Sequence, residues 1–143
     1  PSNPLLYGAK LYDSARKKLI PVFGMPNGKA IALKKSDKNM IVAPMALEGK
    51  NGIYAVMPNT KRLAGMLPEK SYIIADALTP ASVGDLAVCM DADFDNVDTE
   101  ETISAQVAIM KQDSKGKVYA QIAGPDEKIV PTTAHKVIMI VME

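Results

Sequence analysis

From Leu19 onward the chain is written in short apolar runs separated by Gly, Pro, Asn and Asp, the texture of a mainly β domain. The runs predict strands near Leu19–Phe23, Met40–Met45, Tyr54–Met57, Tyr72–Ala75, Asp85–Met90, Ile103–Lys111, Lys117–Ala123 and His135–Met142. Several are apolar at consecutive positions, as in Val137-Ile138-Met139-Ile140-Val141-Met142, so both faces of those strands should be covered by sheet, loop or a partner. The connection Gln112-Asp113-Ser114-Lys115-Gly116 is polar and carries glycine, which predicts a hairpin between its flanking strands. Inside the domain, Asn59–Leu67 is the one short helix predicted, with Asn59 or Thr60 as its cap. The segment Asp91–Glu101 holds Asp91, Asp93, Asp95, Asp98, Glu100 and Glu101, and their mutual repulsion predicts a mobile, solvated insertion. Residues 1–18 read differently. Leu5-Leu6-Tyr7 and Leu11-Tyr12 precede the basic cluster Arg16-Lys17-Lys18, an arm or linker with room for a helical turn over Lys10–Lys18 but not for a helix-turn-helix.

With 143 residues the chain can bury one core without disulfides or metals, so residues 19–143 are expected to form a single domain. Lys+Arg 17 against Asp+Glu 16 leaves a formal charge of +1, which supplies no global field toward nucleic acid or anionic lipid. The single cysteine, Cys89, excludes an internal disulfide framework; within the apolar run Leu86–Met90 it reads as a small buried hydrophobe, and a cytoplasmic origin fits. No run of about 18 apolar residues is present to span a bilayer, and no secretion signal opens the chain. The first residue is Pro1 rather than methionine, which is expected of a processed or trimmed piece of a longer protein.

Candidate chemistry is sparse. His135 is the only histidine, so neither a histidine metal cluster nor a Ser-His-Asp arrangement can be assembled, and its expected role is structural or at the surface. Asp91, Asp93 and Asp95 alternate like the start of a calcium loop, but the sixth position is Asn96 where such a loop needs glycine. Gly24–Gly28 lacks the Lys-Ser/Thr ending of a phosphate loop. No metal or cofactor is expected. The basic residues Arg16-Lys17-Lys18, Lys34-Lys35 and Lys61-Arg62 could touch phosphate, yet on a near-neutral domain they read as solubilising charge. The nine methionines serve either as core filling or as an adaptable interface.

One order of residues goes further. Tyr54-Ala55-Val56 is followed by Met66-Leu67-Pro68-Glu69-Lys70, then by Ser71-Tyr72-Ile73-Ile74-Ala75-Asp76, Thr79-Pro80 and Gly84-Asp85-Leu86-Ala87-Val88. Together with Val42–Gly49 upstream, and with Ala123-Gly124-Pro125 and Val130-Pro131 downstream, this resembles the LexA-type Ser–Lys peptidase domain at the C-terminus of many phage and SOS repressors. The resemblance covers roughly Leu19 to Met142 and is most specific at Ile53–Met90. It implies a fold of twisted antiparallel sheets with one or two short helices. Anchored on Leu67-Pro68, the family's Gly-Asp-Ser-Met elbow falls on Thr60-Lys61-Arg62-Leu63, so Arg62 occupies the nucleophile position. The family's lysine base falls on Ala108 to Met110, nearest Met110, rather than on Lys111, and its scissile bond near Pro26-Asn27-Gly28, at Asn27 and Gly28.

The expectation is therefore a pseudo-peptidase, without catalysis and without cofactor. A fallback dyad of Thr60 and Lys111 would need the elbow shifted by two residues and the strand by one, and an odd shift turns Lys111 to the wrong face. By analogy with repressors, Val137, Ile138, Met139, Ile140, Val141 and Met142, with parts of Lys117–Ala123, should carry a homodimer or higher-oligomer interface. Operator DNA would be met only through a separate N-terminal domain, and control would come from an antirepressor-like protein. The alternatives are an active Ser/Thr–Lys peptidase and a UmuD-like accessory protein.

Overall fold

The computed structural model describes residues 19–28, 30–36, 38–47, 49–58, 71–122 and 127–142. Among them are ten strands: β1 Leu19–Asn27, β2 Ala30–Lys34, β3 Met40–Val42, β4 Ile53–Val56, β5 Ser71–Pro80, β6 Leu86–Met90, β7 Thr102–Gln112, β8 Val118–Ile122, β9 Glu127–Ile129 and β10 Thr133–Met142. Two 3-10 turns, Met45–Leu47 and Phe94–Asn96, complete the regular structure. The predicted arm, residues 1–18, and the predicted helix Asn59–Leu67 lie outside the described residues.

The sheet runs β2-β1-β4-β5-β10-β6-β7, and β2 then pairs with β7, so the path returns on itself as a closed barrel. Closure rests on Ile31↔Ala105, Ala32↔Ser104, Leu33↔Ile103 and Lys34↔Thr102. β8 and β9 continue from β7, and β3 attaches to β1. The expectation of antiparallel sheets is corrected at one place: β1 and β4 are parallel. A parallel pair needs a long crossover, which here is the chain from Gly28 to Gly52, including β2 and β3.

Alternation along each strand divides the apolar residues among three clusters. Inside the barrel lie Ile31, Leu33, Tyr54, Val56, Ile73, Ala75, Val88, Met90, Phe94, Ala105 and Val107. The outer face of β1, β4 and β5 presents Ile20, Val22, Ile53, Ala55 and Ile74, covered by Ala43 and Leu47 from the segment around β3. The outer face of β6 and β7 presents Ala87, Cys89, Ala108 and Met110, covered by Ala120 and Ile122 of β8. This is why β4 is buried at all four positions and β6 at four of five. A sheet covered on both sides selects unbroken apolar runs.

The structure departs from the sequence expectation at several places, and β1 and β5 run on to Asn27 and Pro80. β2 was not predicted, although Ile31 and Leu33 point inward with strict alternation; its two alanines and its lysine are weak strand formers. The run Met40–Met45 ends as a strand at Val42 and turns into the Met45–Leu47 3-10 turn, which buries Leu47. The segment Asp91–Glu101 is not a bare solvated insertion: Asp93 caps the Phe94–Asn96 turn, accepting from Asp95 N–H at 3.3 Å and from Asn96 Nδ2 at 2.6 Å, and Phe94 and Val97 are buried. The β7–β8 hairpin forms as predicted, with Gly116 at φ +85 and Asp113 Oδ1 accepting from the N–H groups of Lys115 and Lys117.

Gly24 in β1 has no room for a side chain. A Cβ there would sit 2.7 Å from Ile31 Cγ2 and 2.8 Å from Val56 Cγ1, both on stiff β-branched side chains. Gly24→Ala should therefore destabilise the fold by about 1–3 kcal/mol through overpacking, read as a lower urea midpoint at unchanged slope. Leu33→Ala, at 0 % exposure beside the closure, should cost about 2–5 kcal/mol in the same measurement.

Candidate functional site

The residues singled out in the sequence do not gather into one catalytic cluster among the described residues. Thr60, Lys61 and Arg62 lie outside them. Met110 is buried on the outer face of β7 among Ala87, Cys89, Ala108, Ala120 and Ile122, with its sulfur 4.0 Å from Cys89 Sγ. Lys111 follows on the opposite face, exposed and registered across from Tyr119. Asn27 closes the β1–β2 ladder opposite Ala30, and Gly28, at φ +64, forms the turn beyond it. Asn-Gly is also a strong hairpin signal, and that reading of the pair predicts β2 where the cleavage-segment reading does not.

β10 is the strand with two different halves. Thr133–Lys136 lies between β6 and β5. Beyond Lys136, among the described residues, it pairs only with β5. Ile138, Met139 and Val141 are half-buried against the outer cluster, Val137 packs toward the barrel interior, and Ile140 and Met142 are 39 % and 67 % exposed. The expected partner region on β8 is separated from β10 by β6 and β7.

Within the barrel stands an aromatic group that the sequence did not disclose. Tyr54, Phe23 and Phe94 form a triangle of rings, with centroids 5.1 Å apart for Tyr54 and Phe23, 5.4 Å for Tyr54 and Phe94 and 6.4 Å for Phe23 and Phe94. His135 meets Phe94 edge-on at 4.7 Å, and its Nδ1 is 2.7 Å from Tyr54 Oη. Burial, with the Cys89 thiol nearby, pushes the Tyr54 phenol well above its ordinary value, so Tyr54 is neutral and shares one hydrogen bond with Nδ1. Burial likewise lowers the His135 pKa; Asp95 and Asp76 oppose this and Lys35 adds to it. The arrangement is a hydrogen-bonded polar pair in a packed interior. Sequence reading placed His135 as structural or at the surface, and it is buried; the lone Phe94 within an acidic run was the available sign that this segment docks.

Asp76, within β5, is also buried. Burial opposes its ionisation, but the Leu78 N–H at 2.9 Å, the Thr79 hydroxyl at 2.8 Å and Lys50 Nζ at 3.6 Å hold its carboxyl below the ordinary value. Beside the barrel mouth, Lys34, Lys35 and Lys38 line a cleft of about 500 Å³ together with Pro21, Phe23, Ser36, Thr99 and Glu100. Among the described residues, no three His, Cys, Asp or Glu side chains are grouped to hold a metal ion, and no helix is long and apolar enough to cross a membrane. The chain matches no protein-family model and no curated protein.

Both titrating groups have depressed folded pKa values, so both stabilise the neutral-pH protein and lose that contribution on acidification. The His135 part should fade as pH falls below the ordinary imidazole value of 6.5, and the Asp76 part below the ordinary carboxyl value of 3.8. Thermal melts across this range should show two declines; His135→Gln should remove the upper one and Asp76→Asn the lower. Tyr54→Phe, which leaves the buried Nδ1 without its hydrogen-bond partner, should cost about 1–3 kcal/mol at neutral pH.

Proposed function

We infer that this domain is a self-associating regulatory module of the LexA/phage-repressor C-terminal type, descended from self-cleaving Ser–Lys peptidases and itself without catalysis. The observation that carries the self-association is the C-terminal half of β10. Among the described residues, its backbone from Val137 to Met142 is laddered only by β5, while Ile140 and Met142 face outward. A strand edge with apolar neighbours is a template for another strand, and a second copy supplies an identical edge through an isologous contact. Two attached DNA-binding domains then meet neighbouring half-sites of an operator, because the second contact becomes intramolecular.

The absence of chemistry is supported separately. At the position that the resemblance assigns to the lysine base stands the Met110 thioether, packed among alanines and Cys89. At the nucleophile position the sequence carries Arg62. Neither group can take part in attack on a carbonyl by a deprotonated hydroxyl. Control of such a module comes from a docking protein of antirepressor type rather than from self-cleavage.

Light scattering of the purified chain should give a dimer or larger species, and Ile140→Lys a monomer with unchanged melting behaviour. A wild-type monomer, or a charged variant that still dimerises, would remove the interface. Incubation in alkaline buffer should leave the chain intact; a time-dependent internal cut abolished by Thr60→Ala or Lys111→Ala would restore the active-peptidase alternative.

A further inference from the structure

The cleft beside the barrel mouth lies between β1, the turn following β2 and the end of the acidic segment at Thr99 and Glu100. Its volume of about 500 Å³ falls within the range of small-ligand sites. Phe23 and Pro21 form an apolar wall, both half-buried, and three lysines, Lys34, Lys35 and Lys38, line the same concavity. On a chain of net charge +1 this is a local concentration of positive charge. The wall is rigid, because Phe23 is stacked on Tyr54 at an interplanar angle of 18° and Tyr54 on Phe94 at 15°.

Lys35 Nζ stands 4.3 Å from the centre of the Phe94 ring. The backbone N–H of Lys38 donates to Ser36 Oγ at 3.3 Å, and the Ser36 hydroxyl still has its own proton to donate. Among the described residues, the carboxylate lining the cleft is Glu100, 3.7 Å from Lys34 Nζ and 90 % exposed on its side chain. An exposed pair of this kind is weak, so a multiply charged anion can displace it.

We propose that this cleft binds a nucleotide unit, with phosphate held by Lys34, Lys35, Lys38 and the Ser36 hydroxyl and the base laid against Phe23. Aromatic walls in basic grooves are suited to this combination because every base offers a flat π-face. An inorganic anion would use the lysines alone, and an acidic peptide would leave the aromatic wall without a flat partner. A free nucleotide and one unit of a single strand offer the same chemistry. The site does not depend on the self-association reading, since it is formed by β1, β2 and the acidic segment.

The test is fluorescence anisotropy of the full chain with labelled ATP and, separately, a labelled oligothymidylate at low salt. At least one probe should saturate, with affinity falling as salt rises. Replacing Lys34, Lys35 and Lys38 together by Ala, Gln and Ala should weaken binding by about tenfold or more. Phe23→Leu should weaken it several-fold at unchanged salt slope, and Lys117→Ala should leave it unchanged. Saturation by ATP marks a free-nucleotide site, and saturation by the oligonucleotide with poor competition from ATP marks a strand. The proposal fails when neither probe binds, when the triple variant binds like wild type, or when inorganic phosphate or polyglutamate displaces the probe as well as nucleotide does. Should Phe23→Leu fold poorly, Lys34→Glu with Lys38→Glu decides: retained binding overturns the site and lost binding supports it.

Discussion

Four residue pairs between β2 and β7 convert a long twisted sheet into a ring. Without them Ile31 and Leu33 would lie along an open edge, and the interior that holds Tyr54, Phe94 and His135 would lose one wall. Closure also fixes the chain direction around the barrel. β1 must return beside β4 in parallel, and this obliges the crossover that carries β3 and the Met45–Leu47 turn over the outer face. Outer layers therefore follow from the ring, not the reverse.

A closed interior with aromatic content has a second requirement, which is a partner for each polar atom it encloses. Tyr54 Oη and His135 Nδ1 are partners for each other across strands that are far apart in sequence. Their bond ties β4 to β10 through the interior, so the strand with the outward apolar half is anchored at its other half by a directional contact as well as by two ladders. Phe94 closes the same group from above, and Lys35 over its far side connects it to the basic cleft. The proposed interface and the proposed ligand site thus share a core while using separate surfaces.

The β character of the chain was legible because buried strands select apolar and β-branched runs, as at Ile53–Val56 and Leu86–Met90. The β7–β8 hairpin was legible from Asp113 and Gly116, whose turn chemistry is local. β2 was not, since Ala30-Ile31-Ala32-Leu33-Lys34 owes its conformation to pairing on two sides rather than to propensity. β9 was missed for a similar reason: Glu127-Lys128-Ile129 is a short charged edge recruited by β8. The burial of Phe94 depends on rings contributed by β1, β4 and β10, information no local window contains. Lys34 and Lys35 were noted as basic, but their convergence with Lys38 and Phe23 exists only once β1 and β2 are folded together.

Cys89 faces the layer formed by β8, with Met110 Sδ 4.0 Å away, and burial pushes its thiol up to about 12. Because the sequence has no other cysteine, the folded chain offers oxidants and alkylating reagents almost no thiolate at neutral pH. Any sulfhydryl introduced on the surface would consequently be the sole reactive one, and exposure of the native sulfur would report separation of the outer layer from the ring.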